Sequence, residues 1–305
     1  MNKHELFDKF EEPIKVGHLG FVKLIDVMGN DAAITQAARV SYGAGTKSIS
    51  EDKALIRYLM RHRHTSPLEM CEIKIHIKAP IHVFRQMFRH RAASINEVST
   101  RYSEVQDEFE LFEADKIRVQ SKDNKQGSSG YLKDESDKPY SFTDSKGVKH
   151  EGFATAENRV HRCEFLANDA IDCSFSSYRE LIQDGIAREQ ARNVLPLATY
   201  SEAYWKIDLH NLFHFLKLRL DSHAQLEIRE FAEAIASIVK EWVPVAYEAF
   251  VDYQLEGAYF SKQELLYVAA MLAAQGDIKY HQSQLTDVSK REQKEFLEKL
   301  GFINE

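Results

Sequence analysis

A chain of 305 residues, 44% of them apolar, is long enough to bury roughly three quarters of its unfolded surface in one or two cores. Charged residues of mixed sign make up 29%, and no apolar run approaches the ~18 residues needed to cross a bilayer, which excludes a disordered chain and a helical membrane protein. The net charge of −7 is unevenly placed: from Arg57 to Arg101 nine Lys/Arg stand against three acids, +6 there and −13 elsewhere, the pattern of one local anion site and not of a globally basic nucleic-acid binder.

The opening "MNKHELFDKFEEPIKV" mixes charges and lacks a hydrophobic stretch, so no secretory signal is expected. Cys71, Cys163 and Cys173 are odd in number and have no metal-type or nucleophile spacing. They are expected to be free thiols, buried or neutral, in a reducing cytoplasm.

After Asn30, "DAAITQAARVSYG" predicts a helix capped by Asn30 or Asp31 and stopped near Gly43. "SEDKALIRYLMRHRH" predicts a second, with Leu55, Ile56, Leu59 and Met60 on its apolar stripe, broken at "HTSPLE" because Pro67 disfavours helix at Ser66. In the strand that follows, Cys71, Ile73, Ile75 and Ile77 alternate with Glu72, Lys74, His76 and Lys78, so one face meets the core and the other meets solvent or a site. Pro80 opens the helix "IHVFRQMFRHR", expected to bury Ile81, Phe84 and Phe88 and to align His82, Gln86 and Arg89 on another face. Ser94 to Arg101 is expected to be a loop folding back over it. The polar stretch 120–150 reads as a surface loop or lid with a short hairpin around "DSKG". A long helix from about Ala154 to Asp184 ends at Gly185. "IAREQARNV" adds a helical turn stopped by Pro196, and "ATYSEAYWKI" is strand-like. Asp208 caps "LHNLFHFLKLRL", with Leu209, Leu212, Phe213, Leu216 and Leu220 inward and His210, His214 and Lys217 on another face. Helices are expected from Ser222 onward, kinked at Pro244.

There is no glycine-rich nucleotide loop, so any phosphate must be held by side chains. "RHRAASINEVSTR", residues 89–101, gathers Arg89, Arg91 and Arg101 with only Glu97 inside it and Glu104 just beyond. Guanidiniums so sparsely compensated repel one another unless an anion is supplied. Three readings stand open: a site for a phosphate-bearing ligand, a single-stranded nucleic-acid module using Arg and aromatic side chains, or a metal-dependent nucleotide hydrolase using His62, His64, His90, His210 and His214. Fixed positive charge around "RHRH" and "RHR" weighs against a metal, and the acidic remainder against nucleic acid. Arg192 and Arg219 stand singly in apolar surroundings, as snorkelling heads or as ligand groups.

The 89–101 segment matches R-H-R-x-x-S-x-N-x-x-S-x-R at every fixed position and so resembles the flavin-dependent thymidylate synthases. "HTSPLE" (64–69), "HVFRQMFRHR", "ARNVLP" (191–196) and "LKLRLDSHAQLEIR" (216–229) extend the resemblance over about residues 20–110 and 155–250. The resemblance implies one α/β (α+β) domain spanning 1–305, with a mostly antiparallel or mixed sheet flanked by helices and a helix-rich C-terminal half. Within it 120–150 would be a polar loop insertion and about 255–305 a helical C-terminal extension. It also implies a homotetramer with active sites where subunits meet, FAD as cofactor, and reductive methylation of dUMP to dTMP. Methylenetetrahydrofolate would be the one-carbon donor, NADPH the reductant and tetrahydrofolate the second product.

Carried over position by position, the resemblance implies dUMP contacts along two motif runs and at two distant arginines. The first run is Gln86, Met87, Phe88 and Arg89; the second is Glu97, Val98, Ser99, Thr100 and Arg101; the arginines are Arg192 and Arg219. FAD contacts would fall on His64, Ser66 and Glu69, on Arg89, His90, Arg91, Asn96 and Glu97, and on Asp208, Leu209, His210 and His214. Asp208 and His210 stand where relatives carry Asn and Arg, which makes that FAD contact weaker or differently shared; Ser66 replaces a threonine of some relatives. Arg219 is the expected catalytic residue, an electrostatic stabiliser of charge on the uracil ring. No metal is expected, and Ser99, lacking a neighbouring base, is expected to be a ligand contact.

Overall fold

Cys71, Ile73, Ile75 and Ile77 are all fully buried, as a strand with one face in the core demands. The computed structural model describes residues 2–40, 49–122, 125, 127–144, 146–274 and 290–299. The chain forms two compact units, one of 1–38 with 65–244, the other of 39–64 with 245–305.

The first unit holds a five-stranded sheet in the order β1 (Ile14–Val16), β2 (Gly20–Met28), β3 (Glu72–Pro80), β9 (Tyr200–Asp208), β4 (Ala93–Glu97). Every pairing is antiparallel, which decides between the mostly antiparallel and the mixed sheet expected, in favour of the first. Ile73, Ile75 and Ile77 lie opposite Ile207, Trp205 and Ala203, which stacks their buried side chains on one face. A bulge between Leu24 and Asp26 shifts the parity of β2, so that Val22, Leu24 and Val27 are all buried. The opposite face is polar: His76 stacks on Tyr204 with centroids 4.7 Å apart and bonds Glu202 at 2.8 Å.

Helices of this unit are α1 (Lys3–Lys9), α2 (Asp31–Arg39), α4 (Ser66–Glu69), α5 (Ile81–Met87), α6 (Ala156–Gln183), α7 (Arg188–Ala191), α8 (Leu209–Arg219) and α9 (Leu226–Trp242). The apolar helix α9 packs on β1, β2, α5 and α8. Asn30 caps α2, its Oδ1 accepting from Ala33 N at 3.1 Å; the expected stop near Gly43 lies outside the described residues. Pro67 does not prevent helix at Ser66, because α4 takes the proline in its first turn, where its missing N–H is not needed. Asp208 caps α8 as expected, accepting from Asn211 N at 3.0 Å. Phe215 joins its buried set, whereas Leu220 is only half-buried. Gly185, at φ +80°, ends α6. Pro244 kinks no helix: α9 stops at Trp242 and Pro244 begins α10 (Pro244–Phe250), since a proline is tolerated in a first turn.

The polar stretch is two hairpins, β5 (Arg118–Gln120) with β6 (Ser128–Tyr131) and β7 (Lys138–Thr143) with β8 (Lys149–Ala154). Leu132 anchors it in a small cluster with Ile117 and Val160. At the "DSKG" turn Asp144 accepts from Val148 N at 2.9 Å and Gly147 takes φ +80°.

In the second unit, α3 (Ile49–Arg61) buries Ile56, Leu59 and Met60, with Leu55 half-buried. Arg57, itself buried, pairs with Glu292 at 2.8 Å and Asp252 at 2.5 Å, and Arg61 pairs with Glu295 at 2.6 Å. Those glutamates belong to the helix Lys290–Lys299; α10 and α11 (Lys262–Ala274) complete the helical set. Among the described residues no helix is long and apolar enough to cross a membrane.

Candidate functional site

Helix α5 is only seven residues long and stops at Met87, because the segment beyond turns to enter β4. Two expectations change as a result. The helix buries Val83, Phe84 and Met87, leaving Ile81 and Phe88 half-buried, and Arg89 is beyond the helix and not on a face shared with Gln86. Arg89 and Arg91 point outward, and among the described residues neither has a carboxylate within ion-pairing distance.

His90, between them, is turned inward at 8% exposure. Its ring meets Phe215 edge-on at 5.0 Å and His214 at 5.7 Å. Arg219, the last residue of α8, donates from Nε to His90 Nε2 at 3.3 Å and from Nη2 to the Gln86 carbonyl at 3.3 Å. Burial, then the charge of Arg219 and the neighbouring His214, pushes the His90 pKa down to about 4. The ring is therefore neutral near pH 7, and because Nε2 accepts, its proton sits on Nδ1. Burial also lowers the pKa of Arg219, yet a guanidinium stays charged. A fixed cation thus stands half-desolvated beside a neutral acceptor, where its field is less screened than in water.

The second cluster is built on β4. Residues 93–97, overlapping the loop expected from Ser94, form this edge strand, because β9 offers them a free backbone edge: Asn96 lies opposite Tyr204 and Glu97 opposite Ala203. Glu97 Oε1 accepts from Ser201 Oγ at 2.8 Å. Arg192, just after α7, donates from Nη1 to Thr100 Oγ1 at 2.8 Å. Phe88, Glu97, Val98, Thr100, Arg192 and Ser201 line a cavity of about 400 Å³, within the size range of small-ligand sites. Arg101 is not uncompensated: it pairs with Glu189 at 2.9 Å, a partner 88 residues away that no local reading finds. Ser99 is half-buried in the loop beside them. Ser201 and Glu189 are site neighbours the motif leaves out; the strand pattern of "ATYSEAYWKI" placed Ser201 on a strand but gave it no role.

The remaining candidates divide. In the second unit His64 is exposed, its ring edge-on to Tyr58 at 5.7 Å. In the first, Ser66 is exposed at the start of α4, Glu69 is half-buried and Asn96 is exposed on β4. His210 is half-buried and His214 exposed on α8. Met87 and Leu209 bury their side chains completely, so only their backbones are available to a ligand, and the Leu209 amide is already bonded to Cys71 O at 2.8 Å. Asp208 commits one carboxylate oxygen to the α8 cap and the other to Asn211 Nδ2 at 2.7 Å. Arg89, Arg91 and the neutral His90 together fit an anionic ligand; Asp208, already satisfied, adds little to one.

The family model described as "Thymidylate synthase complementing protein" matches residues 23–245. The chain is 53% identical over 253 residues to a flavin-dependent thymidylate synthase of Thermus thermophilus, covering 83% of both chains. It is 47% identical to that of Ehrlichia ruminantium, covering 97% of this chain and 91% of the other. It also superposes with a TM-score of 0.62 on a UMP/dUMP methylase, PolB, from Streptomyces cacaoi bound with 5-Br dUMP, at 33% identity, covering 79% of this chain and 99% of that one. Arginines at matching motif positions, placed about a neutral buried histidine, accompany a likeness running through most of the chain: it belongs to the flavin-dependent thymidylate synthase family.

Proposed function

We propose that the chain converts dUMP to dTMP, taking one carbon from methylenetetrahydrofolate and reducing equivalents from NADPH, and releasing tetrahydrofolate and NADP⁺. The observation that carries this reading is the half-buried Arg219, held by Gln86 O and His90. Methylation at C5 requires the uracil ring to act as a carbon nucleophile, which places negative charge on its N3/O4 side. A permanent cation with a fixed direction stabilises that charge without exchanging a proton. Held at Nε and Nη2, Arg219 needs little reorganisation to do so.

Arg192 and Arg101, with Ser99 and Thr100, are suited to the nucleotide phosphate, and Gln86, Arg89 and Glu97 to the rest of dUMP. FAD fits the outward Arg89 and Arg91, with His90, Asn96 and Ser66 as further contacts, and when bound supplies the redox chemistry that links NADPH to the one-carbon unit. The neutral His90 offers an Nδ1 proton without adding a second buried charge.

The cysteine-nucleophile route to thymidylate finds no activated thiol here. Burial, together with nearby Asp31, raises Cys71 to about 11, Cys163 is half-buried against the Ile117 cluster, and Cys173 is exposed on α6.

We read the 305 residues as one thymidylate synthase domain in function, with 120–150 as an insertion and about 255–305 as a helical extension, working in the cytoplasm as a homotetramer. The two clusters share no side-chain hydrogen bond or ion pair among the described residues, and Val98 and Tyr102 are 50% and 78% exposed. Both facts support a ligand closed over by a neighbouring subunit. Purified protein should be yellow, bleach with NADPH without oxygen, and form dTMP only when dUMP, folate, FAD and NADPH are all present. Light scattering should give four chains per particle. Colourless protein that takes up no FAD would overturn the reading.

A further inference from the structure

Behind Gln86 runs a hydrogen-bonded chain to which the mechanism assigns no role. Gln86 Nε2 donates to Gln225 Oε1 at 2.8 Å, Gln225 Nε2 lies 3.5 Å from His82 Nδ1, and His82 Nε2 lies 2.5 Å from Glu110 Oε2. His82 and Gln86 are one turn apart on α5, Gln225 immediately precedes α9, and the Glu110 amide is tied to Ala198 O at 2.9 Å. His82, Gln225 and Glu110 form part of the wall of a separate cavity of about 550 Å³. The cations of that cavity are taken elsewhere, Arg118 by Glu227 at 2.6 Å and Lys116 by Glu230 at 3.4 Å, so Glu110 keeps His82 as its partner.

The partners themselves decide the polarity of the chain. An ionised carboxylate only accepts, so the His82 nitrogen facing Glu110 carries the proton. In the neutral ring Nδ1 is then an acceptor and takes an N–H from Gln225. The Gln225 carbonyl is left facing Gln86, which must answer with its own NH₂. Gln86 is thereby left with its carbonyl Oε1 as the uncommitted acceptor. With the His82 ring neutral, this order follows from donor and acceptor capacity, whichever way an amide is drawn.

We propose that Glu110 and His82 are positioning residues that lock the Gln86 amide so that it presents a carbonyl acceptor to an N–H or O–H donor of the pyrimidine nucleotide. The proposal rests on the reading that Gln86 faces dUMP. Uracil N3 is a donor where cytosine N3 is an acceptor, and the deoxyribose 3′-hydroxyl is the other donor of that chemistry.

Glu110→Gln keeps the shape but offers an N–H to His82. The ring can then adopt the other tautomer and both amides reverse. In the full-length FAD-loaded enzyme titrated with dUMP, this variant should bind about tenfold more weakly, the loss of one hydrogen bond at the substrate. KM for dUMP should rise by the same factor with kcat within about twofold, and Glu110→Asp should recover binding. Gln86→Glu, an acceptor on both sides, should bind poorly alone but better in combination with Glu110→Gln, because the reversed Gln225 then donates to it. Of two analogues titrated into both the unaltered enzyme and Glu110→Gln, 3-methyl-dUMP lacks the N3 donor and 2′,3′-dideoxy-UMP the 3′ donor; the analogue whose binding is indifferent to Glu110→Gln identifies the group that meets Gln86.

Additive losses in the double variant overturn the lock, as does Glu110→Gln binding normally while Gln86→Ala binds weakly. If Gln86→Ala binds dUMP normally, Gln86 is not at the nucleotide and the lock falls with that placement. An unaltered enzyme that neither binds nor methylates dUMP overturns the functional reading instead. Should Glu110→Gln fail to fold, His82→Leu removes both ring nitrogens and should show the same binding loss.

Discussion

Arg219 Nε and His90 Nε2 lie 3.3 Å apart, so the guanidinium donates into an imidazole that burial and that same positive charge keep neutral. Neither residue has its chemistry alone: the cation is aimed by the ring and by the Gln86 carbonyl, and the ring is kept unprotonated beside the cation. Lysine at 219 would keep the charge but lose the forked geometry. Arg219→Lys is expected to lower kcat/KM for dUMP by about 10²–10³-fold, the size of one oriented electrostatic contact. The thermal midpoint should shift little; steady-state kinetics with calorimetry check both, and an unchanged rate would remove Arg219 from the mechanism.

Acid sensitivity follows from the same pair. His90 titrates at about 4 when folded, against 6.5 for an ordinary histidine. Between those values the unfolded chain binds the extra proton, so this contribution to stability is whole above pH 6.5 and is lost as pH falls toward 4. Urea unfolding midpoints should decline across that window, and less steeply in His90→Gln. Parallel slopes in the two proteins would place the acid loss in other groups.

Ile75 is fully buried between Leu24 and Trp205 at the centre of the sheet. Ile75→Ala is expected to cost about 2–5 kcal/mol through lost burial and a cavity the sheet cannot close. Chemical denaturation read by the fluorescence of Trp205 and Trp242 would measure it. A cost below about 1 kcal/mol would mean the strand relaxes into the gap.

In the second unit, Arg57 is 6% exposed and bonded to Glu292, Asp252 and the Tyr253 hydroxyl. Arg57→Met removes a buried counter-charge of Glu292 and should destabilise by about 3–5 kcal/mol. Hydrogen exchange should show the loss in the helix Lys290–Lys299 before the sheet. Unchanged protection there would show that Arg61 and Tyr253 suffice.

The readings that held rest on short-range rules. The isoleucine alternation of β3, the Asp208 cap and the Gly185 stop each involve residues within a turn or two of one another, where sterics and backbone hydrogen bonds decide the outcome. The readings that failed share a different cause. From Ser94 onward the residues beyond α5 read as loop; pairing of 93–97 with β9, more than a hundred residues later, makes them a strand. The buried stripe of α5 shifted to Val83, Phe84 and Met87 because the direction of its core is set by α9. Arg101 looked uncompensated because Glu189 is 88 positions away.

Amino-acid order alone determined which groups could bind anions and at what spacing, because the motif residues lie close along the chain and their charges are permanent. Folding decided which of those charges stay available. Arg101 met Glu189, Asp208 spent its carboxylate on a helix cap, and His90 lost its proton beside an arginine 129 positions away. Charge compensation and desolvation depend on distance in space and on exclusion of water, and neither exists until the sheet and its helices have closed around these side chains.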